Sequence, residues 1–260
     1  MNKFTENGNK MSRVSLRQLI FVFFFTTVSS ISSAKEILIG AGNFEPFFMQ
    51  KDQAGIFVDL IREVFKELPQ YQLKFRFMGN YRLVIELEAG RLDAAANIMQ
   101  ASDLKNGVIS NPMFEFTDVV ITLKRNNFVI NHFSDLQNKS LDTFQGAKSF
   151  LGKEFTKMAE ANPKYKEHAK VDSTMGKLIL GRADAIIIDL YMASHYLKTL
   201  FKGKVKEEEL QIHYLFPVPT AATHMGFMDP KLRDEFNAAL KKTRASGAYQ
   251  AVYQKYKGRF

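Results

Sequence analysis

Asp189 follows three isoleucines in the run "GRADAIIID", Gly181 to Asp189. A carboxylate at the end of so apolar a stretch is costly to bury unless it meets a cation or several hydrogen-bond donors. It could hold a cationic group of a ligand. It could equally cap a following helix, a position that aspartate favours, and the two uses are compatible. An echo, "GRLDAAAN", runs from Gly90 to Asn97 and ends on an amide. In each copy a glycine closes a helix, and a strand of small apolar residues leads to a polar group at its carboxyl end. Open α/β sheets bind ligands at such ends. Two of them facing across a cleft would grip a small polar molecule from both sides, although helix, glycine and strand also form a generic connection.

Other site chemistries leave no pattern. "GAKSFLGKE" (Gly146 to Glu154) has the wrong spacing for a phosphate loop, and Glu154 stands where a magnesium-binding Ser or Thr would be needed. The histidines at 132, 168, 195, 213 and 224 include no i, i+4 metal pair. No Gly-x-Ser-x-Gly turn presents a serine nucleophile. With no cysteine in the chain, disulfides, thiolate catalysis, thiolate zinc sites and a lipid-modified cysteine are excluded. No cofactor or metal is expected.

The elements that must position Asn97 and Asp189 follow from periodicity. "EILIGAG" predicts a short buried strand closed by glycines. "FEPFF", Phe44 to Phe48, predicts an aromatic loop. "GIFVDLIREVFKEL" carries apolar residues at Phe57, Leu60, Ile61, Val64, Phe65 and Leu68, one face of a helix that Pro69 ends. "YQLKFRFM" alternates as a half-buried strand does. "NYRLVIELEAG" predicts a helix stopped at Gly90, and "RLDAAAN" a third strand. Strand, helix, strand, helix, strand implies a doubly wound parallel sheet. "VVITLKRNNFVI" (Val119 to Ile130) then reads as an extended connection into a second α/β unit, which holds "KSLDTFQGAKS", "SFLGKEFTKMAEA", "STMGKLILG" and "ADAIIID". "QIHYLFPVPTAATHMGFM" reads as an extended return, and helices from Pro230 close the chain. "EEE" at Glu207 to Glu209 is expected to be a solvated turn.

Composition fits a globular chain: 260 residues, 46% hydrophobic and 24% charged. The start differs. Lys10, Arg13 and Arg17 precede the apolar run Leu19 to Val28, and small residues end at Ala34. That is the pattern of a cleaved secretory signal peptide at 1–34. The run decays into Ser and Thr well short of the roughly twenty residues a membrane span needs. Residues before Met11 fit no part of the pattern, so Met11 is a candidate start. Cleavage after Ala34 removes four basic residues and one acid, taking the net charge from +9 to +6 and leaving 226 residues. The remaining charges are dispersed, without the basic, aromatic-interleaved stripe that nucleic acid requires. An exported, cysteine-free chain is expected in a bacterial periplasm or outside the cell.

The order of "FEPFF" with "AGIFVDL", "LEAGRLDAAANIM", "NPMF" (Asn111 to Phe114), "GRADAIIID" and "SGAYQAVYQKY" resembles the bacterial extracellular solute-binding proteins of family 3. These are the periplasmic polar amino-acid-binding proteins of ABC transporters. The resemblance covers the whole mature chain. It implies a bilobed, type II periplasmic-binding-protein fold of class α/β: two doubly wound lobes joined by two hinge strands and closing around the ligand. Lobe one would take 35–122 with 220–260, and lobe two 123–219. The implied function is capture of a small polar or anionic, amino-acid-like metabolite for ATP-driven uptake. A monomer would serve a membrane permease or receptor, without catalysis. Two alternatives stay open. One is a periplasmic enzyme, since dehydratases on this fold need only a positioned acid and base. The other is a ligand sensor for a membrane receptor.

The resemblance also assigns residues. Phe44 matches the aromatic that stacks on the ligand, with Phe47 or Phe48 helping to wall the pocket; as the chain has 24 Phe, each could instead be core. Asp189 matches the acid that pairs with the ligand's ammonium. Asn97 and Gln100 match donors to its carboxylate. Ser102 and Lys105 fall where the family carries a threonine and an arginine. That arginine grips the α-carboxylate through two parallel hydrogen bonds, a fork that lysine cannot reproduce. The loop after it is also shorter than the family's by about two residues, so the carboxylate clamp is altered. Gln145, Gly146 and Lys148 match a lobe-two turn that usually contains threonines. If Lys105 and Lys148 both face the cleft, the ligand should be anionic beyond one carboxylate or carry different acceptors; otherwise they are solvated surface lysines.

Overall fold

The computed structural model describes Met1 and residues 34–258. The expected signal peptide therefore lies outside the described residues. Residues from Ala34 onward form one compact unit built around two β-sheets.

The first sheet begins as its periodicity dictates. Strand β1 (Lys35–Ala41) is joined by helix α1 (Ile56–Phe65) to β2 (Tyr71–Phe77), and by α2 (Asn80–Glu88) to β3 (Ala94–Ile98). Both β2 and β3 pair with β1 in parallel. The helical face read from α1 is buried at Phe57, Leu60, Ile61 and Val64. The helix starts at Gly55 (φ 122°), where a Cβ would stand 2.4 Å from the Phe47 carbonyl oxygen, so only glycine fits. Gly90 closes α2 at φ 67°. Strand β2 is half-buried in strict alternation.

Two short strands follow, β4 (Val108–Ile109) and β5 (Phe114–Phe116), then β6 (Asp118–Leu123). The second unit comprises β7 (Leu141–Phe144), α3 (Ala147–Phe150), α4 (Lys153–Ala161), β8 (Tyr165–His168), α5 (Asp172–Ile179), β9 (Ala185–Asp189), α6 (Leu190–Thr199) and β10 (Leu210–His213). Its sheet runs β10–β6–β9–β7–β8. Strand β11 (Ala221–Phe227) returns to the first sheet, giving β2–β1–β3–β11–β4, and α7 (Pro230–Ala245) and α8 (Ala248–Tyr256) close the chain.

Both sheets are mixed, where the sequence pointed to a parallel first sheet. The two extended crossings are sheet strands rather than connections. β6 lies antiparallel between β9 and β10, and β11 antiparallel between β3 and β4. All six residues of β6 are buried, and a buried backbone must pair its N–H and C=O groups. The apolar run "VVITL" thus had to enter a sheet. The expected helix "SFLGKEFTKMAEA" is also divided, because Gly152 at φ 92° separates α3 from α4.

Helices α7 and α8 pack on α1. Asp229 caps α7 through the Lys231 N–H at 2.8 Å, with Pro230 at the first turn. Tyr249 donates its hydroxyl to the Met113 carbonyl at 2.6 Å, tying α8 to the residue before β5. The chain crosses between sheets at two adjacent places. Thr220 N–H donates to the Phe116 carbonyl and Asp118 N–H to Thr220 Oγ1, each at 2.8 Å.

Candidate functional site

A cavity of about 400 Å³ opens where the carboxyl ends of β3, β7 and β9 meet. Four of the residues singled out in the sequence line it: Phe44, Asn97, Gln145 and Asp189. The two echoing phrases thus end on one cavity, reached from both sheets.

Asn97 is aimed by a backbone irregularity. It takes φ 62°, a left-handed conformation that asparagine tolerates better than most residues. The register slips beside it: Ala95 faces Gly226 and Ile98 faces His224, so β3 carries one residue more than β11. Such a bulge redirects a side chain. Thr223 donates its hydroxyl to Asn97 Oδ1 at 2.8 Å, which fixes the amide and leaves its NH₂ for the cavity.

Asp189 performs the capping role that its position allowed. Oδ1 accepts from the N–H groups of Tyr191 (2.8 Å) and Met192 (3.2 Å), the first turn of α6. Oδ2 accepts from the Thr117 N–H at 2.7 Å, so the same carboxylate fastens the first crossing to that helix. Burial pushes the Asp189 carboxyl up to about 7, against the three N–H groups that favour its ionised form.

Asp118 was not anticipated. It sits directly opposite Asp189 in the antiparallel pairing of β6 with β9, and both residues line the cavity. Side chains of directly opposed residues share a face of the sheet, with Cβ atoms roughly 5 Å apart. Asp118 is 5% exposed. Among the described residues its carboxyl has no hydrogen-bond or ion-pair partner. Burial, then the charge of Asp189, raise it to about 8. With three N–H donors on Asp189 and none on Asp118, the ionised form is favoured on Asp189 and the protonated form on Asp118.

The walls are apolar. Phe44 and Phe116 come from the first sheet's side, Phe144 and Phe150 from the second, the last two edge-on at 5.9 Å. Met99, Met192 and Val171 complete them, and Asn80 adds a third amide to those of Asn97 and Gln145. Apart from Phe44, sequence reasoning missed these residues. Asp118 did leave one signal, an acid at the head of "VVITL" that mirrors the acid ending "AIIID".

The remaining expected site residues do not line the cavity. Phe48 is buried behind Phe44, edge-on at 5.2 Å, and packs with Phe57 and Phe114 as core; Phe47 is likewise core. Gln100 and Ser102 lie on an exposed single turn, where Gln100 N–H donates to Asp103. The exposed Lys105 has its N–H tied to Glu88 at 3.0 Å. Gly146 and Lys148, also exposed, give their N–H groups to Glu167 at 2.8 and 3.0 Å. The lysine pair that would have called for an anionic ligand is absent from the wall. The charged residues there are Asp118 and Asp189.

Comparison with known proteins agrees with this architecture. The family of "Bacterial extracellular solute-binding proteins, family 3" matches residues 37–259. The L-cystine-binding protein TcyJ of Bacillus subtilis is 24% identical over 239 residues, covering 86% of this chain and 85% of that protein. The arginine-binding periplasmic protein of Mannheimia haemolytica is 27% identical over 233 residues, covering 87% and 93%. Among solved structures, an ancestral cationic amino acid solute-binding protein superposes with a TM-score of 0.69 at 21% identity, covering 88% of this chain and 98% of that one. At that identity the likeness shows the fold, the bilobed type II periplasmic-binding-protein architecture. With nearly the whole described chain matched, this protein belongs to the bacterial extracellular solute-binding proteins, family 3.

Proposed function

We propose that the cavity between the two sheets is the solute site and that binding closes two lobes around it. Lobe one comprises the first sheet with α7 and α8. The boundary expected at 122/123 falls inside β6, which pairs within the second sheet, so lobe two is drawn from β6 and ends before Thr220. Phe44 and Asn97 offer contacts from lobe one, and Gln145 and Asp189 from lobe two. The observation that carries this reading is the meeting of the two strand ends, one from each sheet, on one aromatic-lined cavity. Contacts made by both lobes exist together only in a closed form, so a solute shifts the hinge equilibrium towards closure. The chain then delivers its solute to an ABC-type membrane permease from the periplasm, as a monomer. Among the described residues no helix is long and apolar enough to cross a membrane.

Relatives named for L-cystine and arginine place amino acids first in a screen. The test is calorimetry against amino acids, dicarboxylates and amines, paired with small-angle scattering. The expected result is micromolar or tighter binding with a smaller radius of gyration. Binding without compaction refutes lobe closure, and no binding across the screen refutes the solute site.

A second reading rests on the two acids, since carboxyls raised towards neutrality in an apolar pocket are what proton transfer uses. Prolonged incubation with the bound solute separates the two: a binding protein returns it unaltered, and an enzyme returns a product.

A further inference from the structure

The two acids carry more information than their presence in a pocket. Their backbone pairing, Asp118 opposite Asp189, sets both carboxyls on one face of one sheet. Both residues are more than nine-tenths buried, and neither is in an ion pair within the described chain. Like charges so placed repel each other and lose hydration, and among the described residues no cation offsets this. Asp189 at least receives three N–H donors. Asp118 receives none, although it faces a cavity large enough for a solute. A buried acid left without a partner in a ligand cavity is a partner waiting for the ligand.

Charge counting then narrows the ligand. The cavity wall offers two carboxyls, the amides of Asn80, Asn97 and Gln145, and apolar side chains, with no Lys, Arg or His among its described lining residues. A zwitterionic amino acid is neutral and would leave both acids uncompensated in sum. It would also bring a third carboxylate into the same space, while Lys105 and Ser102, at the positions matched to a carboxylate clamp, lie off the wall. A dication closes the balance. Its alkyl chain suits Met99, Met192 and Val171, and its charged ends suit the faces of Phe44, Phe116, Phe144 and Phe150, since aromatic rings attract cations.

We propose that this cavity selects small organic cations without an α-carboxylate, diamines or aminoguanidines, with Asp118 and Asp189 as their joint counter-charge. The proposal rests on the cavity being the solute site. Asp118 is then the specificity-determining residue, because Asp189 alone balances one charge. The ionised pair forms fully only when the cation arrives, so binding releases the proton that Asp118 holds in the empty cavity. Asp189, from β9, is the charged group acting on Asp118; the flanking β10, the packed α5 and the Thr220 crossing contribute no charge to it.

The experiment uses two pairs of probes that differ by one carboxylate: 1,5-diaminopentane against L-lysine, and agmatine against L-arginine. Calorimetry on the mature protein at pH 7.5 should show each amine binding at least about tenfold more tightly than its amino acid. Asp118→Asn should weaken diamine binding roughly 100-fold, the usual scale for removing one member of a desolvated charge pair. On the unaltered protein, titrations in phosphate and in Tris should differ by the heat of about one released proton. Either amino acid binding more tightly than its amine overturns the proposal. So does undiminished diamine binding by Asp118→Asn, or equal heats in the two buffers. If amino acids bind and amines do not, the cation class falls while the solute-binding reading stands. If none of the four binds, and a screen of standard amino acids and dicarboxylates also gives neither heat nor compaction, both fall.

Discussion

Asp118→Asn should stabilise the ligand-free protein, and by an amount that grows with pH. The carboxyl is held up at about 8 in the folded chain against 3.8 for an unperturbed aspartate. Between those values the folded chain keeps a proton that the unfolded chain has lost. Stability from this group is therefore complete below about pH 4, declines as pH rises, and is gone above about pH 8. One proton corresponds to about 1.4 kcal/mol per pH unit. Asparagine keeps the shape and does not titrate, so the difference between variant and parent isolates this loss. From pH 5 to pH 7 that difference should widen by about 2–3 kcal/mol in favour of the variant. For a domain of this size about 1 kcal/mol moves the midpoint by 2–4 °C, so the melting temperatures should diverge by roughly 5–10 °C. Circular dichroism melts at 222 nm, without solute, at pH 5, 6, 7 and 8 measure it directly. A gap that stays constant within about 2 °C across that range means that Asp118 is already ionised at pH 5, and the account of an unpartnered acid is wrong.

Asp189→Ala removes the cap of α6 together with the tie to Thr117. At pH 5, where relief of buried charge contributes least, melts should show a loss of about 1–2 kcal/mol; an unchanged midpoint would deny the carboxylate its structural role. Gly42→Ala sets a methyl group 2.6 Å from Phe48 Cδ2 and 3.0 Å from Phe44 Cε1. The buried Phe48 ring must shift, and the Phe44 ring packed edge-on against it must give with it, so calorimetry should find binding of the screened solute weakened by about tenfold, on the scale of a displaced wall contact; full affinity would remove Phe44 from the wall. Lys105→Ala and Lys148→Ala should each leave affinity within about twofold, as exposed charges away from a contact do. A larger loss in calorimetry would return the lysines to the site.

Which parts of this were legible in the sequence follows from the range of the forces involved. The α1 face, the alternation of β2 and the glycine stops at Gly90 and Gly181 are local properties of a few turns of chain, and they were readable. Where β6 and β11 go is not local. Each is an apolar run that needs a neighbouring strand on both sides, and the identity of those neighbours depends on segments far away in the chain. Their extended conformation was visible and their insertion into the sheets was not. The lysines illustrate the converse error. Lys105 and Lys148 match binding positions of relatives by order along the chain, yet hydrogen bonds from their own backbone to Glu88 and Glu167 fix those turns with the side chains in solvent.

The two acids show why the chemistry of this site could not be completed from sequence. Asp189 could be singled out, because its setting after three isoleucines makes it expensive wherever it points. Asp118 becomes its partner only through the register of β6 against β9. A slip of one residue would turn the Asp118 side chain to the opposite face. That register is held at the crossing itself, where Asp118 N–H donates to Thr220, Thr220 N–H to Phe116, and Thr117 N–H to Asp189. The bonds that fix the two charges side by side are thus the bonds that join the two crossing segments. A solute that compensates those charges acts at the point about which the lobes must turn, so recognition and closure share the same few residues. Closure needs no separate relay from the cavity to the hinge.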